Sequence, residues 1–366
     1  MNNFLELNTA ELVEIFEGLE IPAYRIGQVR HWIFHRKTTV FERMTNLSLE
    51  VRRRLAEQFG ATVFREKELT RLQAEDFSQK LLLELEDGEQ IECVLLKNDR
   101  HHRTACVSTQ VGCAMRCVFC ASGLNGYVRN LTRSEILEQL LRLNALLTED
   151  ERLTHIVVMG IGEPMLNLDA LLSALDEATS AAGLNMSVRR VTISTVGIPA
   201  GIRKLADAVV QGGKGYKLAV SLHAPNDELR SQIIPHNRQS GIAAVLSATD
   251  EYFQKTGRRV TFEYTLIEGV NDQPEHVVQL AELLRDRTAI VNVIPLNSVP
   301  ELTHRSPSSK AVQRFIEQLQ HRGIQVKVRF RKGDKIFAAC GQLRRSRSEE
   351  DCSTRSAKSP ALSGEG

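Results

Sequence analysis

From residue 103 onward the chain alternates short β-rich runs with amphipathic stretches. The runs are TACVS, HIVVMG, RVTIST, KLAVSL, RVTFEYTLI and AIVNVIP. No other feature restricts the fold as much, because a strand followed by a helix returns parallel to itself through a right-handed crossover. The intervening segments carry helical periodicity. Thr132 and Glu135 form a capping box before Ile136, Leu140, Leu143 and Leu147, and a second stretch places Leu168, Leu171, Leu172 and Leu175 on one face. Six such units predict an α/β protein whose core, residues 101–343, is a partial (β/α)6 barrel, closing on the strand-like IQVKVRF and then AACGQL.

The flanks read differently. Residues 1–75 are expected to be a helical accessory domain: Leu12, Ile15, Phe16 and Leu19 recur at helical spacing, and Asn8 with Glu11 makes a capping pair before them. The single tryptophan, Trp32, is read as a core residue of that domain rather than a base-stacking one. Residues 76–100 predict a β-hairpin around Asp87-Gly88 leading into the core. Residues 344–366 are polar and predict a disordered tail, in which Cys352 has no role. With 42% apolar and 25% charged residues, the 366-residue chain has the profile of a soluble globular protein. A net charge of +2 means that a nucleic-acid partner would be held by local basic surface. No run approaches the roughly 18 apolar residues of a membrane span, and the acidic N-terminus lacks a secretory pattern. A cytoplasmic protein with no membrane partner is expected.

The unusual residues cluster just after each strand. GCAMRCVFC follows the first, GIGEP the second, STVG the third, SLHAP the fourth, IEGVND the fifth, and PLN with Asn297 the sixth. That edge of an α/β barrel is where βα loops converge, so the pattern predicts an enzyme. Cys113, Cys117 and Cys120 are spaced C-x-x-x-C-x-x-C. With Cys106 they could make a four-thiolate zinc site; as three ligands to a four-iron cubane they would leave one iron open. The odd total of seven cysteines, three of them clustered, favours metal and thiol chemistry. The glycines of GIGEP suit a tight turn, and Glu163 could receive a ligand's ammonium group. His223 alone reads as a satisfied rim residue. In VNDQPE, Asp272 and Glu275 predict a capping box with Pro274 in the first turn, and no chemistry is expected there.

C-x-x-x-C-x-x-C after a first strand, followed by a GEP loop, resembles the radical S-adenosylmethionine (SAM) superfamily, whose barrel this fold would then be. The missing fourth ligand would be SAM itself. More closely, RTACVSTQVGCAMRCVFCASG, GIGEPMLN, AVSLHAPND, PHNR, EGVND and AACGQL together resemble the RlmN/Cfr family of RNA adenosine methyltransferases, over residues from about 10 to 343.

The resemblance implies one [4Fe-4S] cluster on Cys113, Cys117 and Cys120, and two SAM molecules consumed per methylation. Cys340 would take a methyl group from the first SAM. Cleavage of the second would give a 5′-deoxyadenosyl radical that takes hydrogen from that methyl, and the resulting methylene radical would add to the adenine. Glu92 would remove the ring proton, and Cys106 would attack Cys340 to release product, leaving a disulfide. SAM contacts carry over to Gly162, Glu163, Ser194, Ser221, Leu222, His223 and Asn297. The implied target of an RlmN-type member is carbon 2 of an adenosine in the peptidyl-transferase centre of 23S rRNA and in tRNA anticodon loops; a Cfr-type member methylates carbon 8 of the ribosomal adenosine. A flavodoxin- or ferredoxin-type electron donor is also implied, and the protein is expected to be a monomer. Lys327, Arg329, Arg331 and Lys332, with Arg129 and Arg133, are candidates for gripping RNA phosphates. Three stretches depart from the family pattern: NDRHHRTAC is one residue longer, STVGIPAG one shorter, and RKGDKIFAACG lacks an acidic pair. A reading of another class, a zinc-stapled RNA-binding protein without catalysis, stays open at this point.

Overall fold

The computed structural model describes residues 2–98, 101–328 and 336–344. Three helices come first: α1 (Thr9–Gly18), α2 (Arg25–Phe34) and α3 (Leu49–Phe59). Antiparallel strands β1 (Lys67–Gln73), β2 (Gln79–Glu84) and β3 (Gln90–Lys97) follow, and β4 (Arg103–Cys106) pairs antiparallel to β3. From β4 the sheet becomes parallel, running through β7 (His155–Val158), β8 (Val191–Thr195), β9 (Lys217–Ser221), β10 (Val260–Leu266), β11 (Ala289–Pro295) and β12 (Val326–Val328). Helices α4 (Arg133–Ala145), α5 (Leu168–Thr179), α6 (Pro199–Gly212), α7 (Asp227–Ile233), α8 (Gly241–Thr256), α9 (Pro274–Leu284) and α10 (Ser309–His321) connect these strands. A separate hairpin, β5 (Gln110–Gly112) with β6 (Tyr127–Asn130), carries the cysteine loop. The result is an open α/β barrel. No helix among the described residues is long and apolar enough to cross a membrane.

Strand alternation decides what faces where. On β9 to β11, Leu218, Val220, Phe262, Tyr264, Val291 and Val293 are buried in the main apolar core with Leu205, Val245 and Leu280 of the helices. The intervening Ser221, Glu263, Thr265 and Ile294 line a cavity inside the barrel. Each fully buried Leu, Val or Phe of this core contributes about 1.5–3 kcal/mol. The core therefore holds the outer layer together and leaves the inner face free for polar residues.

Several local expectations correspond to the structure and several are corrected by it. The Asn8–Glu11 and Thr132–Glu135 capping boxes are both formed. The helical reading of residues 1–75 fails beyond α3, because Lys67–Gln73 is a strand added to the predicted hairpin. At α9 the box forms one residue later than expected, between Gln273 and His276, while the Asp272 carboxylate accepts from Gly269 N and Gln273 Nε2. Pro274 does occupy the first turn. Trp32 packs half-buried against the core, and its Nε1 donates to Asn46 Oδ1 at 2.5 Å.

Two arginines read as phosphate ligands serve the fold. Arg129 is held between Asp87 and Glu135. The Arg133 guanidinium pairs with Glu177 and donates to the Leu5 and Leu7 carbonyls, tying the N-terminal segment to the barrel. Arg30 of α2 joins the same Glu177, so one carboxylate is shared across this seam. Lys327 is exposed on β12, whereas Arg329, Arg331, Lys332 and the tail with Cys352 lie outside the described residues.

Candidate active site

The cysteine loop is shaped by its hairpin. Gly112 has φ +74°, and a Cβ there would stand 1.8 Å from Gly126 O, so only glycine lets β5 and β6 cross at this point. Cys113 N donates to Gly126 O at 3.0 Å, Cys120 N to Cys117 O at 3.1 Å, and Val118 N to Ile233 O at 3.0 Å. These bonds turn the loop inward, and all three cysteines line the cavity. Burial, followed by the neighbouring Cys120, pushes the Cys113 thiol up to about 12; burial followed by Cys120 and Cys113 raises Cys117 as well. Three thiols that disfavour one another's ionisation form a set that a bound cationic cluster would relieve, and an all-sulfur donor set suits iron–sulfur ligation. Among the described residues, no three His, Cys, Asp or Glu side chains form a ready single-ion site. Cys106 lies apart from the other three, in an apolar cluster with Val94, Ile161, Ala338 and Leu343. A zinc site built from all four cysteines does not correspond to this placement.

The GEP loop packs tightly on the strand-end segment beside it. A Cβ on Gly160 would meet Val107 backbone at 2.7 Å, and one on Gly162 (φ +111°) would meet Gln110 Cβ at 2.6 Å. These glycines therefore permit close chain packing. Glu163 is buried, and its carboxylate accepts from Thr195 Oγ1 (2.7 Å), Met165 N (3.0 Å) and Val196 N (2.7 Å). It locks its own loop to the loop after β8. Burial raises its pKa, opposed by the Thr195, Val196 and Met165 donors.

His223 adopts φ +57° and is buried. Its Nδ1 accepts from Thr265 N at 2.9 Å, which puts the ring proton on Nε2, and its ring meets Phe119 edge-on at 4.8 Å. Burial, then Arg230, depresses its pKa to about 3, so the imidazole is neutral.

The remaining wall is the segment around Cys340. Ala121 N donates to Gly341 O at 2.8 Å, Ser122 Oγ to Leu343 O at 2.7 Å, and Asn297 Nδ2 to Cys340 O at 2.9 Å. Asn297 Oδ1 is buried without a hydrogen-bond partner in a residue that lines the cavity. An orphaned acceptor at such a wall suits a ligand carrying N–H or O–H donors.

Of the residues expected at the site, Cys113, Cys117, Cys120, Gly162, Glu163, Ser194, Ser221, His223, Asn297 and Cys340 line one cavity. Leu222, Cys106 and Glu92 do not. Leu222 belongs to the core and its N–H donates to Glu263 O. Glu92 is buried and paired with Lys80 at 3.0 Å. Sequence reasoning missed Met115, Phe119, Glu263 and Thr265 in the wall. The polar residues at alternate positions of RVTFEYTLI were the available signal for the last two. It also missed Arg230, which is buried and donates to the Val196, Ser221 and Leu222 carbonyls, joining two rim loops. Nothing local marks that residue.

Comparison with known proteins adds an independent line. The family model of the radical SAM superfamily matches residues 107–284, and that of the ribosomal RNA large subunit methyltransferase N-terminal domain matches residues 2–60. The "Probable dual-specificity RNA methyltransferase RlmN" of Rhodopirellula baltica is 51% identical over 348 residues, 95% of this chain and 92% of that protein. The protein of the same description from Thermosipho melanesiensis is 43% identical, over 94% of this chain and 99% of the relative. Among solved structures, a radical SAM methyltransferase from Sphaerobacter thermophilus superposes with a TM-score of 0.89 at 40% identity, covering 94% of this chain and 99% of that one. With both family models, full-length relatives and a cysteine-walled cavity in agreement, the chain belongs to the RlmN family of radical SAM RNA methyltransferases.

Proposed function

We propose that this protein methylates carbon 2 of an adenosine in 23S rRNA, and of tRNA anticodon loops, in the cytoplasm, through an S-methylcysteine on Cys340. The observation that carries the reading is the placement of Cys340 in the same cavity wall as Cys113, Cys117 and Cys120. Carbon 2 of adenine is electron-poor and does not attack a sulfonium methyl, so a carrier thiol and a radical route are needed. The bound cluster and SAM, fed by a flavodoxin- or ferredoxin-type donor, supply the one-electron chemistry.

The chain's own residues do the rest. Cys113, Cys117 and Cys120 hold the cluster. Gly162, Glu163, Ser194, Ser221, His223 and Asn297 line the space for SAM, with the backbone of Leu222 behind them. Glu163 and neutral His223 fix the rim, and Asn297 offers its free acceptor to a donor on the ligand. Cys340 carries the carbon to the ring. Cys106 packs with Ala338 and Leu343, on either side of Cys340, which suits a thiol that attacks the Cys340 sulfur and displaces the methylated base. Glu92 takes the ring proton, and to do so it must leave its contacts with Lys80 and Arg344 N.

The test is nucleoside mass spectrometry of 23S rRNA and tRNA modified by the anaerobically reconstituted monomer. We expect 2-methyladenosine and several irons per chain. Only 8-methyladenosine would overturn the regiochemistry, and a colourless protein holding one zinc would overturn the enzyme reading.

A further inference from the structure

One buried ion pair outside the cavity touches both ends of the segment that carries Cys340. Lys80 on β2 and Glu92 on β3 are cross-strand neighbours, with Lys80 paired to Val94 and Glu92 to Leu82 in the β2–β3 register. Their side chains are 3% and 1% exposed and meet at 3.0 Å. Lys80 Nζ also donates to Phe337 O at 3.1 Å. Glu92 Oε2 accepts from Arg344 N at 2.9 Å. Phe337 and Arg344 bracket Cys340, three residues before it and four after.

Burying an ammonium and a carboxylate together costs several kcal/mol per ion unless their remaining hydrogen-bonding capacity is used. Here part of that capacity goes to the two peptide groups that begin and end the segment. An apolar pair in the same strands would stabilise the sheet equally well and hold neither. The segment has other ties, through Asn297 and Ala121 in its middle and through Ser122 and Glu301 at its exit, where Ser122 holds the Leu343 carbonyl of the very peptide whose N–H meets Glu92, but none of these reaches Phe337 at the entry.

We propose that Lys80 is a positioning residue for Cys340. Its ammonium, braced by Glu92, clamps the entry of the 337–344 segment while Glu92 clamps the exit, so that the thiol is presented at the cavity wall. The inference rests on the reading of Cys340 as the methyl carrier, and it gives Lys80 a part in that reading. It also makes one carboxylate serve in turn as clamp and as base: when Glu92 turns to the substrate, the Arg344 N–H loses its acceptor and the Lys80 ammonium its brace.

Two variants test the clamp: Lys80→Met, and Lys80→Met/Glu92→Met, which leaves no unpaired buried carboxylate and keeps the volumes close. Amide hydrogen exchange across the chain and the rate of Cys340 alkylation by iodoacetamide are measured in the reconstituted protein without RNA. Neither readout depends on methyl transfer. We expect exchange at residues 338–344 and alkylation of Cys340 to rise at least tenfold, with exchange in β7 to β11 and iron per chain unchanged. Methylation of Cys340 should fall at least tenfold at saturating SAM, and Lys80→Arg should recover part of it. Unchanged protection of 338–344 in either variant would overturn the clamp. Faster exchange throughout the barrel would reduce Lys80 to a general stabiliser and equally overturn it. A loosened segment with undiminished methylation would overturn the positioning role, while leaving the regiochemistry to the nucleoside assay.

Discussion

The cavity receives its cysteines from two regions built on opposite plans. The Cys113–Cys120 loop is held largely by its near neighbours, with Cys113 bonded to Gly126 across a hairpin whose crossing depends on Gly112. The Cys340 segment has the reverse character. Its partners stand 43 residues away at Asn297, 221 at Ser122, 252 at Glu92 and 257 at Lys80. A loop that must hold a cofactor benefits from local, permanent geometry. On the function proposed for Cys340, a thiol that accepts a methyl group, meets a base and then meets another thiol benefits from ties that can be made and broken one at a time.

If the two regions are separable, damage to one leaves the other intact. The largest effect is expected for Cys340→Ala: no methylated RNA and no protein–RNA adduct, with iron loading and SAM binding unchanged. Cys106→Ala should instead accumulate a covalent protein–RNA species, seen as a gel band that disappears on nuclease treatment. Normal turnover of Cys106→Ala without that band would sink the release step.

Next is Gly112→Ala. Its Cβ would collide with a backbone oxygen in a left-handed conformation, and the strain alone is about 1–3 kcal/mol before the hairpin moves. Most of the iron per chain should be lost, while alkylation of Cys340 stays slow. Gly88 is the control, because its φ is +81° but a Cβ there meets nothing within 4 Å, so Gly88→Ala should load iron normally. Equal iron loss in both would mean that hairpin strain, and not the Gly112 crossing, decides cluster assembly.

The smallest effect tests His223, which joins the rim to the cysteine loop through Phe119. Its folded pKa near 3 lies below the unfolded value of 6.5. The unfolded chain therefore binds the proton first as pH falls, so the contribution is intact above about 6.5 and is lost progressively toward 3. At pH 5 this amounts to about 2 kcal/mol. Asn tolerates positive φ and can accept from Thr265 N, so His223→Asn should flatten the decline in unfolding free energy between pH 7 and 5. An unaltered slope would show that the decline comes from other groups, His155 among them, whose pKa burial, then His102, lowers to about 4.

The same contrast governs what could be read from the sequence. Local features were legible: the strand runs from TACVS to AIVNVIP, the boxes at Asn8 and Thr132, and the three-cysteine spacing. Each is decided by residues a few positions apart. Lys67–Gln73 escaped notice because only pairing with β2 makes that half-exposed segment a strand. The shift of the α9 cap to Gln273 and His276 follows from Asp272 spending its carboxylate on Gly269 and Gln273. Arg133 looked like a free charge because its carboxylate, Glu177, is 44 residues distant, and Arg129 because Asp87 is 42 away and the nearer Glu135 reads as part of the helix cap. Lys80 carried no local signal because its carbonyl partner at Phe337 is 257 residues away, and Arg230 because most of its acceptors are backbone carbonyls, which no residue type announces.

The long reach of the Cys340 ties also bears on the order in which the site is made. Every other described wall of the cavity precedes residue 337 in the chain, so the Cys340 sulfur is synthesised after the compartment it completes. Among the described residues its near ties are those between Ala339 and Gln342, which fold the segment on itself, and its docking waits for β2, β3 and the loop after β11 to be in place. Until then the compartment stands open on that side. Chain order thus makes this wall the last to close over the cysteine loop.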